Sequence, residues 1–162
     1  MDFKERIFAK LSEIPDPEIP VISIVELGVV RNVIELGAHS IEVVITPTYS
    51  GCPAMKQMED DVVSKLKENG FTDVKVKMVY SPAWTTDWLS EEAKLKLQKY
   101  GIAPPEETTS DKSFITGKHK AVTCPRCKSK STSLVSQFGS TACKALYKCD
   151  ECLETFDYFK CI

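Results

Sequence analysis

The sequence lacks an apolar run long enough to cross a membrane, and its first residues alternate charged with apolar side chains. A secretory signal needs an uninterrupted apolar core, so neither an export signal nor a membrane partner is predicted. We therefore expect a cytoplasmic protein, in which a reducing environment keeps cysteines as thiols. Disulfide bonds become the minor interpretation of the seven cysteines.

The net charge is also small, and histidine is rare. The formal net charge is -2, which gives the whole chain no electrostatic attraction to nucleic acid or anionic membrane. The two histidines are His39, in a predicted turn, and His119, in a polar segment without periodicity. Neither stands near Cys52, the cysteine outside the C-terminal third of the chain, so the sequence does not favour a Cys-His hydrolase.

Two Cys-x-x-Cys pairs, CPRC and CDEC, are present, and 21 residues separate them. Each pair can form a tight knuckle, and four converging thiolates make a tetrahedral metal site. Strand-like segments between the pairs are typical of a zinc ribbon. The spacing predicts one structural Zn²⁺, with iron or an Fe–S cluster as the alternative. The predicted ligands are Cys124, Cys127, Cys149 and Cys152.

Two further cysteines, Cys143 and Cys161, lie in the same part of the chain. They are either small buried residues or auxiliary thiols that approach the site as alternative ligands or redox groups. Zinc ribbons also bind nucleic acid, but the few basic residues here are explained by the charge of a four-thiolate site, so that function is disfavoured.

The remaining periodicity predicts helix, strand, strand, helix, strand and helix. This order is typical of an α+β fold, a small sandwich with helices on one face of a short mixed sheet. The predicted domains are 1–103, a linker at 104–120 and a zinc ribbon at 121–162. The predicted elements are a helix over 3–14, strands over 22–36, 41–46 and 74–80, and helices over 53–69 and 90–100.

Cys52 is the only cysteine of the predicted first domain, and SGCP places it just before or at the start of a helix. Backbone amides at a helix N-terminus stabilise an anion, so Cys52 is a candidate thiolate for metal binding or nucleophilic attack. A buried apolar cysteine is the alternative. Asp16 and Glu18, in DPEIP, are either hard metal ligands or parts of a turn, and the sequence favours the turn.

Four strings together are characteristic: DPEIPVISIVELGVV, TPTYSGCPAMKQME, SPAWTTDWLSEEAKLKLQKYGIAPP, and CPRC through ALYKCDECLETFDYFKC. They resemble the PaaD-like accessory proteins of bacterial phenylacetyl-CoA epoxidase systems, over nearly the whole chain. The first domain alone is similar to the metal-sulfur cluster assembly family, which includes SufT-like proteins. In that family a DPE motif and a reactive cysteine recur, which match Asp16, Pro17, Glu18 and Cys52.

The resemblance implies an accessory or maturation factor without a catalytic centre of its own, needed for aerobic phenylacetate catabolism. Its implied partners are a di-iron oxygenase that epoxidises phenylacetyl-CoA and the Fe–S flavoprotein reductase that feeds it. The alternatives are a stoichiometric, non-catalytic subunit of the oxygenase, an independent enzyme with a Cys52 nucleophile, and a nucleic-acid-binding ribbon.

A lone Cys52 cannot supply the several thiolates that normally hold an Fe–S cluster. A second copy of the chain in a homodimer, a client protein, or Cys143 and Cys161 would have to contribute the others. The hypothesis is therefore transient handling of iron or a cluster at Cys52, with Asp16 and Glu18 as auxiliary groups. Trp84 and Trp88 are four residues apart and would share a face if helical. They are either core residues or a partner-docking surface, and docking is the hypothesis favoured here.

Overall fold

The computed structural model of the protein describes residues 1–105 and 122–159. The chain divides into two compact units. The first contains Met1–Trp84 and Trp88–Ser90, and the second contains Thr85–Asp87 and the described residues from Glu91 onward. No helix in the described ranges is both long and apolar enough to span a membrane.

The first unit has two helices, α1 (Phe3–Leu11) and α2 (Ala54–Glu68), and a three-stranded sheet. The strands are β1 (Val30–Gly37), β2 (Ser40–Ile45) and β3 (Asp73–Met78), and they lie in the order β1-β2-β3. Strands β1 and β2 are antiparallel, whereas β2 and β3 are parallel and are joined by α2, so the mixed sheet predicted for an α+β fold is confirmed. Helix α1 contacts β1 and α2, and α2 contacts β3.

The strand predicted from residue 22 starts only at Val30. A local turn occupies the preceding residues: the backbone N–H of Ser23 donates to the Glu26 carboxylate, and the N–H of Glu26 donates to the Ser23 hydroxyl. Gly28 then leaves this turn with a φ of 80°. Side-chain hydrogen bonds of this kind compete with a sheet ladder, so the apolar residues here are buried without forming a strand.

The second unit combines one helix, α3 (Glu91–Tyr100), with a four-stranded sheet. The strands are β4 (Ile102–Ala103), β5 (Thr132–Ser136), β6 (Lys144–Cys149) and β7 (Thr155–Phe159), and they lie in the order β4-β7-β6-β5. Strand β6 is antiparallel to both of its neighbours, and β4 is parallel to β7. Its core contains Tyr147 stacked on Phe156, with ring centroids 6.0 Å apart.

The division between the units falls before α3, whereas the sequence predicts the first domain to end at residue 103. Strand β4 explains the difference, because Ile102 and Ala103 pair with Asp157 and Tyr158 of β7. This pairing joins residues more than fifty positions apart, and no local periodicity indicates it. The predicted linker, 104–120, lies outside the described residues except for its first two positions.

Candidate metal centre and thiol site

Two knuckles with the same backbone geometry position the four predicted metal ligands. In each knuckle the N–H of the first cysteine donates to the carbonyl five residues later, at 2.8 Å for Cys124 and 2.9 Å for Cys149. The residue after the second cysteine has a left-handed backbone, with a φ of 66° at Lys128 and 63° at Leu153. The chain therefore turns back directly after each pair, which aims both sulfurs of the pair inward.

The four sulfur atoms lie within 4.8 Å of one another. The Sγ atoms of Cys124 and Cys152 are 3.8 Å apart, and those of Cys127 and Cys149 are 3.5 Å apart. Tetrahedral Zn²⁺ with Zn–S bonds of about 2.3 Å requires S–S distances of about 3.8 Å, whereas a disulfide requires about 2.05 Å. The sulfurs thus fit one structural zinc, and their spacing disfavours disulfides and a larger cluster.

The thiols affect each other's ionisation. Backbone amides of Cys152 and Glu151 lower the pKa of Cys149 to about 7. The backbone amide of Glu154 acts in the same direction on Cys152, but burial and the neighbouring thiols raise the pKa of Cys152 to about 12. Four adjacent thiols therefore cannot all ionise by themselves. A divalent cation stabilises all four as thiolates.

Cys143 does not belong to this cluster. It precedes β6, whereas Cys149 ends that strand, so about 20 Å of extended chain separates them. Its side chain is 4% exposed, and its sulfur lies 3.0 Å from the Thr141 hydroxyl. The structure therefore does not bring Cys143 to the four-cysteine site as the alternative ligand that the sequence suggests. Cys161 lies outside the described residues.

Cys52 lies immediately before the N-terminus of α2, as predicted, and its side chain is 8% exposed. Its carbonyl accepts a hydrogen bond from the N–H of Met55. Pro53 occupies the N-cap without a side-chain hydrogen bond, and the first turn contains no acidic residue. Neither the N-cap residue nor the first turn therefore supplies a side chain that neutralises the positive end of α2.

Asp16 serves the turn that the sequence favours. Its side chain is 4% exposed, and its Oδ1 accepts from the backbone N–H groups of Glu18, at 2.9 Å, and Ile19, at 2.6 Å. In the described part of the chain, Asp16, Glu18 and Cys52 do not form a metal-ligand cluster. The structure therefore does not bring the predicted auxiliary carboxylates and the thiol together around one ion.

The two tryptophans occupy different environments. Trp84 is 4% exposed, and its indole N–H donates to the carbonyl of Leu27 at 2.9 Å. Trp88 ends a 3₁₀ turn and is half-buried, and the Arg31 guanidinium lies 3.5 Å from its ring centroid. The predicted pair on one helical face does not form. Trp84 stabilises the first unit, so the docking hypothesis applies only to Trp88.

His39 and Thr46 flank the two ends of β2. His39 precedes the strand, at the end away from Cys52, so it cannot activate that thiol. Thr46 follows the strand, is 1% exposed, and has a hydroxyl without a hydrogen-bond partner in the described structure. The sequence predicts Thr46 only as the last residue of a strand, and a polar residue at the end of an apolar strand was the signal available.

Comparisons with known protein families match both parts of the chain. A family described as "Iron-sulfur cluster assembly protein" matches residues 4–78. A family described as "PaaD zinc beta ribbon domain" matches residues 108–160.

Individual relatives extend these matches. A protein of Escherichia coli (strain K12), named as a subunit of a "Putative 1,2-phenylacetyl-CoA epoxidase", is 51% identical over 96% of this chain and 92% of its own. An "Fe-S protein maturation auxiliary factor" of Porphyromonas gingivalis is 38% identical over 58% of this chain and 90% of its own. The solved structure of a DUF59 domain from Bacillus anthracis covers 59% of this chain and 91% of its own, with 31% identity and a TM-score of 0.55.

Proposed function

Because this chain belongs to the PaaD family, in which an Fe–S cluster assembly domain precedes a zinc ribbon, we propose that it is a maturation factor of a phenylacetyl-CoA epoxidase system. The observation that carries the proposal is the joint occurrence of both domains with a relative matched over 96% of the chain. Shorter relatives named as Fe–S protein maturation factors cover the first domain alone. The role does not require a catalytic centre in this chain.

We further propose that Cys52 is the group that handles iron or an Fe–S cluster during maturation. Two features of its environment support this role: the adjacent N-terminus of α2, and the absence there of both a capping side chain and a first-turn acidic residue. A helix N-terminus favours a thiolate, which is the metal-binding form of cysteine. Because Cys52 is one thiol, the client's own ligands complete the coordination during transfer.

The proposed clients are the oxygenase and the Fe–S flavoprotein reductase of the epoxidase system. A second candidate function is a stoichiometric, non-catalytic subunit of the oxygenase, and it is favoured because the Escherichia coli relative is named as part of the epoxidase itself. The two functions differ in when the protein is needed. A maturation factor acts before its client is complete, whereas a stoichiometric component is required during each turnover.

The test uses a host that lacks this protein and carries the oxygenase and reductase. The host is complemented with wild type, Cys52→Ala or Cys143→Ala, since Cys143 is an equally buried thiol outside the zinc site. Both client components are then purified, their iron and sulfide are measured, and epoxidation is assayed with and without added purified wild-type protein.

We expect clients from the Cys52→Ala host to lack iron or sulfide, and clients from the Cys143→Ala host to be normal. Adding the purified protein to metal-deficient clients, without an iron source, should not restore epoxidation. Fully loaded clients that are inactive until the protein is added in equal amounts would establish the stoichiometric function instead. Full metal loading in the Cys52→Ala host would exclude the role of Cys52.

A further inference from the structure

A groove on the first unit lies between α1 and the turn that follows α2, and it has a volume of about 220 Å³. We call it the α1 groove and define it by Arg6, Ile7, Lys10, Asn69 and Phe71, which line it. Its apolar surface is accessible at Phe71, which is half-buried, above a buried Ile7. The groove therefore offers an apolar floor beside two cationic side chains.

The protein neutralises the cations of the α1 groove only in part. Arg6 and Lys10 are four residues apart on α1 and so lie on the same face, and both are exposed. Arg6 forms no ion pair with a described side chain. Lys10 reaches only Glu13, at 3.6 Å, and Glu13 is shared with Lys65 of α2.

Nearby carboxylates have other partners. The hydrogen bond and charge of Lys65, with a smaller contribution from Lys10, hold the pKa of Glu13 below its usual value, so Glu13 stays ionised and paired. Asp2 and Glu5 cap the N-terminus of α1 through backbone N–H groups. Lys10 and Lys65 thus share one carboxylate, and Arg6 pairs with no described carboxylate, in a protein whose net charge is -2. This surface is a local exception to the overall charge.

We propose that the α1 groove is a docking site for an acidic, amphipathic segment of a partner protein. An apolar side chain of the segment packs against Ile7 and Phe71, and its carboxylates face Arg6 and Lys10. Charge complementarity selects this occupant, because a basic or neutral segment would leave the cations unpaired. The groove lies in a different part of the first unit from the α2 N-terminus, so docking is separate from the chemistry proposed for Cys52.

The test measures binding of a labelled synthetic peptide in which leucine and phenylalanine alternate with pairs of glutamates. Two comparison peptides replace the glutamates with lysine, or the apolar residues with serine. Fluorescence anisotropy is recorded with the full chain at increasing salt concentration. The variants are Arg6→Glu, Arg6→Gln and Lys99→Glu, the last being a matched charge reversal at an exposed position of α3.

We expect the acidic amphipathic peptide to bind more tightly than either comparison peptide, with an affinity that falls as salt increases. Arg6→Glu should weaken binding by roughly tenfold or more, Arg6→Gln should weaken it less, and Lys99→Glu should leave it unchanged. Circular dichroism of Arg6→Glu should match wild type, because Arg6 is exposed. Amide NMR shifts should concentrate on α1 and on the turn after α2.

Three results would overturn the proposal. The first is equal binding of the lysine peptide or no binding of the acidic one. The second is an equal loss of affinity in Lys99→Glu. The third is a wild-type dimer that Arg6→Glu converts to monomers, since the groove would then be occupied by a second copy of the chain.

Discussion

Asp16 illustrates how one buried carboxylate supports two different hypotheses. In the structure it accepts two backbone hydrogen bonds within a turn, whereas the resemblance to cluster assembly proteins implies a functional DPE motif. The two roles are separable, because the hydrogen-bond acceptor and the negative charge can be removed independently. Asparagine retains an acceptor oxygen and loses only the charge.

We expect Asp16→Ala to lower the free energy of unfolding by about 1–3 kcal/mol, because one buried and one part-buried N–H group lose their acceptor. Asp16→Asn should cost less. Urea unfolding of both variants checks this. If Asp16→Asn is folded and client metal loading still fails in the complemented host, the charge itself is functional. If loading is normal, Asp16 is a structural residue.

Gly28 is required by both its backbone and its neighbours. It has a φ of 80°, and a Cβ built there would lie 2.7 Å from the Cβ and from the carbonyl oxygen of Trp88. Gly51 has the same φ but no heavy atom within 4 Å of such a Cβ, so it serves as a matched control. The two positions therefore separate backbone strain from close packing.

We expect Gly51→Ala to cost roughly 1 kcal/mol through the left-handed backbone alone. Gly28→Ala should cost a further 1–3 kcal/mol, roughly, because the new methyl group overpacks against backbone atoms. Denaturant unfolding of the two variants measures the difference. Equal destabilisation would show that the segment containing Trp88 moves away without cost.

We expect the zinc ribbon to depend on its metal because its apolar core is small. Two of its core residues, Cys124 and Cys149, belong to the four-cysteine cluster. Coordination should therefore contribute much of the folding free energy of the second unit. Lowering the pH protonates the thiolates and should release the ion, whereas the first unit contains none of these ligands.

We expect Cys152→Ser, or a chelator added to wild type, to remove the metal and to abolish amide protection in β5, β6 and β7. Protection in β2 and α2 should remain, since these elements belong to the first unit. Hydrogen exchange followed by mass spectrometry measures both regions in one sample. Retained protection in β6 after complete metal loss would show that the ribbon folds without an ion.

Helix α3 and strand β4 provide a direct test of where the first unit ends. Because β4 pairs with β7, a chain shortened to residues 1–103 should leave α3 and β4 unprotected, and a chain shortened to residues 1–90 should be equally stable. Thermal unfolding and hydrogen exchange of the two shortened chains test this. A more stable 1–103 chain would place α3 with the first unit.

The described residues contain one four-cysteine cluster and two separate thiols, Cys52 and Cys143. We expect one zinc per chain in wild type, Cys52→Ala and Cys143→Ala, because neither variant changes a ligand of the ribbon. Anaerobic purification followed by zinc, iron and sulfide analysis checks this. Iron in place of zinc would identify the four-cysteine site as an iron centre, and iron and sulfide lost only from Cys52→Ala would identify a cluster carried at Cys52.

The sequence by itself determined the features that depend on local spacing. The two Cys-x-x-Cys pairs located the four-cysteine cluster, since each knuckle is formed by neighbouring residues. The apolar period and the proline after Cys52 likewise located that thiol before α2. The α+β class followed from the order of the elements, which is also a property of the chain in one dimension.

Only the tertiary structure decided the features that depend on contacts between distant residues. The burial of Trp84 requires the carbonyl of Leu27, and the assignment of β4 to the second unit requires β7. Neither partner is indicated by a local pattern. The separation of Cys143 from the metal site follows from the length of β6. In each case a residue's role is set by the atoms that the fold places beside it, and not by its own neighbours in sequence.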